Sequence, residues 1–292
     1  MTTLEFHALP TLSIEYARAL SRLNRPGFKE AMPQIEAIAR GIKAEPERVA
    51  AYNSVCGIAD PKRLLASYPQ VLATPLHGAI FASPEFPFGP LGMVHVGNRI
   101  VQHAVVGLET PLDLRARLGA SREVARGIEF ELETFAEVSG QCVWQSTTSI
   151  LVRQRKSKAP KGAKLASAQP LPGESAGRTR SVIFRIPEDM GRRYAGVSGD
   201  FNPIHLHALI ARPFGFSRAI VQGMWSLARC LGELGDELGA VPHQIDVRFE
   251  RPIELPARVL FSSGASKDGV EFAMKKADGS KVYLEGQITK VQ

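Results

Sequence analysis

The chain is predicted to be an α+β protein made of two copies of one unit, each an antiparallel sheet wrapped around a buried helix. Three observations carry this. The sequence repeats: Tyr52-Asn-Ser-Val-Cys-Gly57 followed by Pro61 matches Tyr194-Ala-Gly-Val-Ser-Gly199 followed by Pro203, at an offset of 142 residues. Gly127-Ile-Glu-Phe130 and Gly269-Val-Glu-Phe272 keep that offset, and the pairs Pro46-Glu47 and Pro187-Glu188 precede the two copies. In the second copy, Gln222–Leu234 carries Met224, Leu227, Ala228, Leu231 and Leu234 at helical spacing, widened by Trp225 and Cys230. A helix apolar on most of its circumference is a buried one. Behind it, Ile245, Val247 and Phe249 alternate with Asp246, Arg248 and Glu250, the period of a half-buried strand.

Taken in order, residues 1–153 form the first copy, with a helix around Leu76–Ala82 and strands near 93–106, 111–118, 127–138 and 141–153. Residues 154–180 are poor in apolar side chains and rich in Lys, Ala, Ser, Gly and Pro, the composition of a linker. Residues 181–292 form the second copy. Ser181–Ile186 reads as a strand, and Pro187 suits the first turn of a helix running to about Val197. After the buried helix and its strand, further strands lie near 257–263, 270–276 and 281–291, punctuated by Lys-Asp-Gly and Asp-Gly-Ser turns.

At 292 residues with 44% hydrophobic and 22% charged side chains, the chain has material for two modest domains with a real core. It has no apolar run long enough to span a bilayer and no charged-then-apolar leader, so a cytoplasmic protein without membrane contact is expected. Cys56, Cys142 and Cys230 are odd in number and widely spaced, and read as reduced, buried thiols with no metal spacing. A net charge of +7 favours an acidic partner. Nucleic acid is not expected, because the chain lacks a basic helix interleaved with aromatics and any finger spacing. The basic cluster Arg153, Arg155, Lys156, Lys158, Lys161 and Lys164 reads first as a solvated linker. Its charges would otherwise suit the phosphates of coenzyme A or an acidic carrier protein. No G-x-G-x-x-G or P-loop run occurs, which disfavours nucleotide chemistry.

The run Tyr194-Ala-Gly-Val-Ser-Gly-Asp-Phe-Asn-Pro-Ile-His205 sets a carboxylate, Asp200, and an imidazole, His205, five residues apart on backbone punctuated by Gly and Pro. Asn202-Pro203 forces a turn, and a turn there lets acid and base face one small volume. At the same offset the first copy has Ile58, Asp60 and Arg63 where the second has Asp200, Asn202 and His205. Only the second copy keeps the pair, so one active site per chain is expected, with the first copy as scaffold and a wall of that site.

This run resembles the signature of the MaoC-like family of (R)-specific enoyl-thioester hydratases and 3-hydroxyacyl-thioester dehydratases, Tyr-x-x-x-Ser-Gly-Asp-x-Asn-Pro-Ile-His, without a break. The resemblance implies a double hot-dog fold whose two sheets lie side by side as one. It also implies a lyase that adds water across a trans-2-enoyl thioester or removes it from the (3R)-3-hydroxyacyl thioester, as in fatty acid metabolism. No separate cofactor is implied, since coenzyme A or the phosphopantetheine of acyl carrier protein arrives as part of the substrate. Asp200 and His205 are the candidate proton-transfer groups, their individual assignments left open. Gly223 opens the buried helix, where free N–H groups and the macrodipole favour an oxyanion. In the family a His-Gly-Met stands there, and here it is Gln222-Gly223-Met224, which keeps the backbone donor.

Around the pair, Ser198 and Asn202 are expected to shape the loop and border the substrate. Phe214, Phe216, Met224 and Trp225 are candidates for an acyl tunnel or for core packing. A zinc site at Asp200, His205 and His207 lacks a defined further ligand and is not expected. Two other functions remain: a hot-dog thioesterase, and a non-catalytic acyl-thioester-binding subunit. Chain length, pathway and acyl carrier stay open at this stage. A homodimer is compatible with the internal repeat without being required by it.

Overall fold

The structure, a computed structural model, describes residues 1–21, 25–89, 92–153, 178–212, 215–235 and 241–291. The first half contains β1 (Thr2–Phe6), α1 (Leu12–Ser21), β2 (Ile35–Ile42), α2 (Pro46–Cys56), α3 (Tyr68–Ala82), β3 (Met93–Gln102), β4 (Leu112–Val124), β5 (Gly127–Val138) and β6 (Gln141–Arg153). The second contains β7 (Arg178–Ile186), α4 (Met190–Ser198), a 3-10 turn (Pro203–His205), α5 (Ala208–Ala211) and α6 (Gly223–Leu234). It closes with β8 (His243–Phe249), β9 (Ala257–Ser266), β10 (Gly269–Lys276) and β11 (Val282–Lys290).

The strands form one eleven-stranded sheet in the order β1-β2-β4-β5-β6-β3-β8-β11-β10-β9-β7. Setting β1 aside, the order β2-β4-β5-β6-β3 is mirrored by β7-β9-β10-β11-β8, which is the double hot-dog arrangement. The seam is antiparallel, from Gly97 opposite Arg248 to Gln102 opposite His243. α3 lies across β2, β4 and β5, and α6 meets β10.

The repeated Tyr-to-Gly segments become paired helices, α2 and α4, which pack on each other with Tyr52 and Tyr194 ring centroids 5.9 Å apart. Both end on a glycine in the left-handed region, Gly57 (φ 69°) and Gly199 (φ 75°). That conformation caps a helix and disfavours a side chain. The halves are further tied by Trp225 Nε1 donating to the Val55 carbonyl (3.1 Å), Arg229 Nη1 to Gly57 (3.0 Å) and Arg63 Nη2 to Gly235 (2.7 Å).

Several expectations are corrected. The first-half helix begins at Tyr68, eight residues before the predicted start, because Pro75 inside it reads as a breaker in sequence but is carried within the helix. α4 begins at Met190, and Pro187 instead heads the turn before it, its carbonyl accepting from Met190 N–H (3.2 Å). β3 ends at Gln102, not near 106, and β4 continues to Val124. Cys142 is exposed, not buried, because it sits at the open start of β6; Cys56 and Cys230 are buried. β7 already begins at Arg178, inside the stretch expected as linker, and the rest of that stretch (154–177) lies outside the described residues. Phe214 lies outside them too. Among the described residues no helix is long and apolar enough to cross a membrane.

The β1–α1 segment has no counterpart in the second half. Leu12 of α1 fits between Gly78 of α3 and Gly199, where an added methyl would sit 2.8 and 2.5 Å from it respectively. α1 thereby roofs the space between α3 and the motif turn.

Candidate active site

The motif turn is built by short backbone contacts and hydrogen bonds. Gly199 stops α4, with its N–H on the Ala195 carbonyl (2.9 Å). Ser198 Oγ donates to the Tyr194 carbonyl (2.8 Å) and accepts from Asp200 N–H (3.2 Å). Asp200 Oδ1 accepts from Asn202 N–H (3.2 Å), and Asn202 Oδ1 from Ile204 N–H (3.4 Å), two successive Asx turns. The first fixes the carboxylate so that Oδ2 is turned to His205. Pro203 then starts the 3-10 turn that delivers His205.

His205 Nδ1 lies 2.8 Å from the Ile220 carbonyl. A carbonyl only accepts, so Nδ1 carries a proton, and Nε2 is the nitrogen free to exchange one. That Nε2 is 3.8 Å from Asp200 Oδ2, too far for a direct hydrogen bond and close enough for both to converge on one bridging atom. His205 is nearly buried, with 10% of its side chain exposed against 39% for Asp200, so the pair stands at the rim of an interior space.

Two residues hold this turn from behind. Gln222 is buried, and its Nε2 donates to the carbonyls of Gly191 (3.0 Å) and Asp200 (3.2 Å). Gln222 therefore clamps the motif turn to α4. Gly191 packs against the backbone of His205, and a Cβ there would collide with the His205 carbonyl oxygen. Sequence reasoning missed Gly191, because nothing local marks a glycine that is needed for a neighbour fourteen residues away.

The space is a cavity of about 300 Å³ running over the concave face of the sheet between α3 and α6. Asp200, His205, Ser198, Asn202, Gly223 and Met224 all line it, and so does Phe216. Trp225 does not. It is buried between the halves, its indole committed to Val55. Gly223 is the first residue of α6, where backbone N–H groups have no partner inside the helix. A methyl there would press the Phe249 ring at 3.1 Å, so glycine also allows that packing. His207 is the exposed cap of α5, its Nδ1 accepting from Leu209 N–H (3.2 Å).

The opposite wall comes from the first half: Leu12, Gln70, His77, Phe81, His95 and Thr148. His95 was not foreseen. A bulge between His95 and Gly97 in β3 sets Val96 out of register and turns His95 inward, opposite Ile150. The Gly97 inside a strand pattern was the one available signal. His95 Nε2 is 2.9 Å from the Gly97 carbonyl, and its ring meets Phe249 edge-on at 4.8 Å. Burial pulls the His95 pKa down to about 4 and that of His77 down to about 3, so both rings are neutral near pH 7.

The model of the "MaoC like domain" family matches residues 165–284. The 3-hydroxyacyl-thioester dehydratase X of Mycobacterium tuberculosis is 32% identical over 215 residues, 73% of this chain and 74% of that protein. The chain belongs to the MaoC-like dehydratase family. It is an enzyme of the hydratase–dehydratase type. The crystal structure of HtdX from Mycobacterium tuberculosis superposes with a TM-score of 0.74 at 25% identity, covering 88% of this chain and all of that one. A MaoC-like dehydratase from Phytophthora capsici shares the fold at a TM-score of 0.72 and 19% identity, over 92% of this chain and 98% of that one. This MaoC-like dehydratase thus keeps the family fold along most of its length, including the half without the motif.

Proposed function

We propose that the enzyme interconverts trans-2-enoyl and (3R)-3-hydroxyacyl thioesters, carried on coenzyme A or on acyl carrier protein, at Asp200 and His205. The observation that carries this reading is the convergence of two acceptors, Asp200 Oδ2 and His205 Nε2, 3.8 Å apart at the cavity rim. A carboxylate and a neutral imidazole together hold no spare proton. A water between them donates one hydrogen to each, leaving a lone pair for the β-carbon. As the C–O bond forms, one of the pair takes the water's proton, and a proton is returned to the α-carbon. The sum is addition of one water with no net proton uptake, and dehydration is the same path in reverse.

Negative charge meanwhile grows on the thioester oxygen. Gly223 N–H is the donor assigned to it in this reading, supported by its position at the start of α6 on the cavity wall, where the helix dipole adds to the effect. Ser198 and Asn202 hold the carboxylate and the turn, and Met224 and Phe216 border the reacting carbons. The acyl chain runs on into the first half, between α3 and β3.

The test is loss of the conjugated enoyl-thioester absorbance with crotonyl and longer thioesters, on both carriers, beside Asp200→Ala and His205→Ala. Turnover in the wild type and a fall of roughly a hundredfold or more in each folded variant are expected. A folded wild type without turnover on either carrier overturns the reading. Release of free thiol in place of hydration would identify a thioesterase.

A further inference from the structure

We propose that the cavity in the first half is a binding site for a hydroxyl borne by the acyl chain, received by His95 and Gln70, and that the enzyme selects hydroxylated over plain acyl groups. This rests on the reading above for the direction in which the acyl chain runs, and adds the class of chain.

The argument starts from strand register. Side chains facing the helices form rows that run across the seam, one of them shifted by the bulge at His95. One row runs Leu118, Leu132, Thr148, Asn98, Val247, Gly286 and Phe272. The next toward the site runs Phe130, Ile150 and His95, continued beyond the bulge by Phe249, Leu284 and Met274. As far as β10 the second half of each row is apolar, with Ser263 following Phe272 on β9, while the first half inserts amide, hydroxyl or imidazole groups beside the seam. Gln70 and His77 of α3 add to these from above. A half without its own chemistry needs only an apolar interior to stand as scaffold.

The polar groups are partly bonded to one another. Thr148 Oγ1 accepts from Gln70 Nε2 (3.0 Å) and Asn98 Nδ2 (2.9 Å), Ser146 Oγ donates to Asn98 Oδ1 (3.2 Å), and His77 Nε2 meets Thr134 Oγ1 (2.9 Å). Left over are Gln70 Oε1 and one ring nitrogen each of His77 and His95. Gln70 is 6% exposed and lines the cavity, and its Oε1 is buried with no partner. His95 gives its Nε2 hydrogen to Gly97, so the neutral ring turns a bare Nδ1 to its surroundings, and it too lines the cavity. Gln70 Oε1 is sealed off, so the acceptor on this wall that a ligand can reach is His95 Nδ1, and it matches a donor on the ligand. A plain alkyl chain has none, and a hydroxyl supplies one while accepting from the second hydrogen of Gln70 Nε2. A site built to bond a hydroxyl rejects the analogue that lacks it more sharply than an apolar pocket rejects an added one.

Saturated acyl-CoA thioesters bind without reacting, so calorimetry on them tests this apart from turnover. Matched pairs would be compared, one plain and one carrying a single hydroxyl moved along the chain beyond the third carbon. At one position the hydroxylated member is expected to bind at least about tenfold more tightly. In His95→Phe and Gln70→Leu, checked for folding by melting, that ratio falls toward one. His95→Asn, which retains an acceptor, keeps part of it. Equal or weaker binding of the hydroxylated member at every position overturns the proposal, as does a ratio unchanged in both apolar variants. Failure of the enoyl-thioester assay with this preference intact would instead overturn the reaction and leave the site.

Discussion

Row by row, the two halves put different chemistry under the same architecture. Under α6 the sheet presents Ile245, Val247, Phe272, Met274, Leu284 and Ile288, all buried, with the buried polar residues His243 and Ser263 only toward the strand ends. Under α3 it presents Asn98, Thr134, Ser146 and Thr148 among its apolar residues, also buried. The motif is reversed: Asp200 and His205 stand in the second half, and Ile58 and Arg63 occupy the matching sequence positions in the first. The copy without this Asp and His is not idle in the fold. Arg63 now bonds across to Gly235, α2 braces α4, and the interior of the first half forms a wall of the cavity. On the assignment proposed above, duplication divides the work, with proton transfer in one half and the shape and polarity of the acyl site in the other.

The largest way to break this comparison is to exchange the motif positions. Asp200→Asn should lower kcat by two orders of magnitude or more, about 3 kcal/mol of barrier. Ile58→Asp combined with Arg63→His should restore nothing in that background. A real gain in kcat from the first-half pair would show that the halves are interchangeable and overturn the division drawn here. Nearly as large is Gly191→Ala. Its methyl collides with the His205 carbonyl, which is backbone and cannot swing aside, so the turn itself must move. A loss of about 1–3 kcal/mol in stability, typical of overpacking, and a drop in kcat of about a hundredfold are expected from melting and steady-state rates.

The sequence carried most of the second half and less of the first. The buried helix at 223–234, the strands after it and the motif turn were legible because each has a local signature: apolar period, alternation, or Gly and Pro at fixed places. The first-half helix is legible only in its second half, and Pro75, a breaker by local preference, is carried inside it by tertiary packing. β1 and α1 have no repeat partner to reveal them, yet Leu12 roofs the cavity. Gly191 and His95 act through contacts distant in sequence, one with the backbone of His205 and one through a bulge. Only Gly97 hinted at the second.

A moderate effect sharpens the contrast between interiors. His77 and His95 are held neutral by burial, with pKa values near 3 and 4, against about 6.5 in an unfolded chain. Between about pH 6.5 and 4 the unfolded chain therefore binds protons that the folded one refuses. Their contribution to stability is complete above about 6.5 and is lost as pH falls through that window. Melting temperature should decline from about pH 6.5 downward, before most carboxylates titrate. In His77→Gln that early decline should shrink by roughly half. A decline of the same slope in the variant would mean that the first-half interior is hydrated enough to accept the charge.

The smallest effect uses the three thiols as reporters of packing in each half. Cys56, on α2 between the halves, is pushed up to about 12 by burial, and Cys230, on the inner face of α6, is pushed up for the same reason. Cys142 is exposed at the start of β6 and does not line the cavity. A thiol reagent at neutral pH should therefore label one cysteine in the native enzyme and three in denaturant, with activity kept after the single modification, as mass spectrometry and the hydration assay would read out. Native labelling of Cys56 ahead of global unfolding would place the weakest joint of the molecule at the α2–α4 contact. That joint is what holds a half without catalytic groups against the turn that carries them, so its opening should silence the enzyme while Asp200 and His205 remain chemically intact.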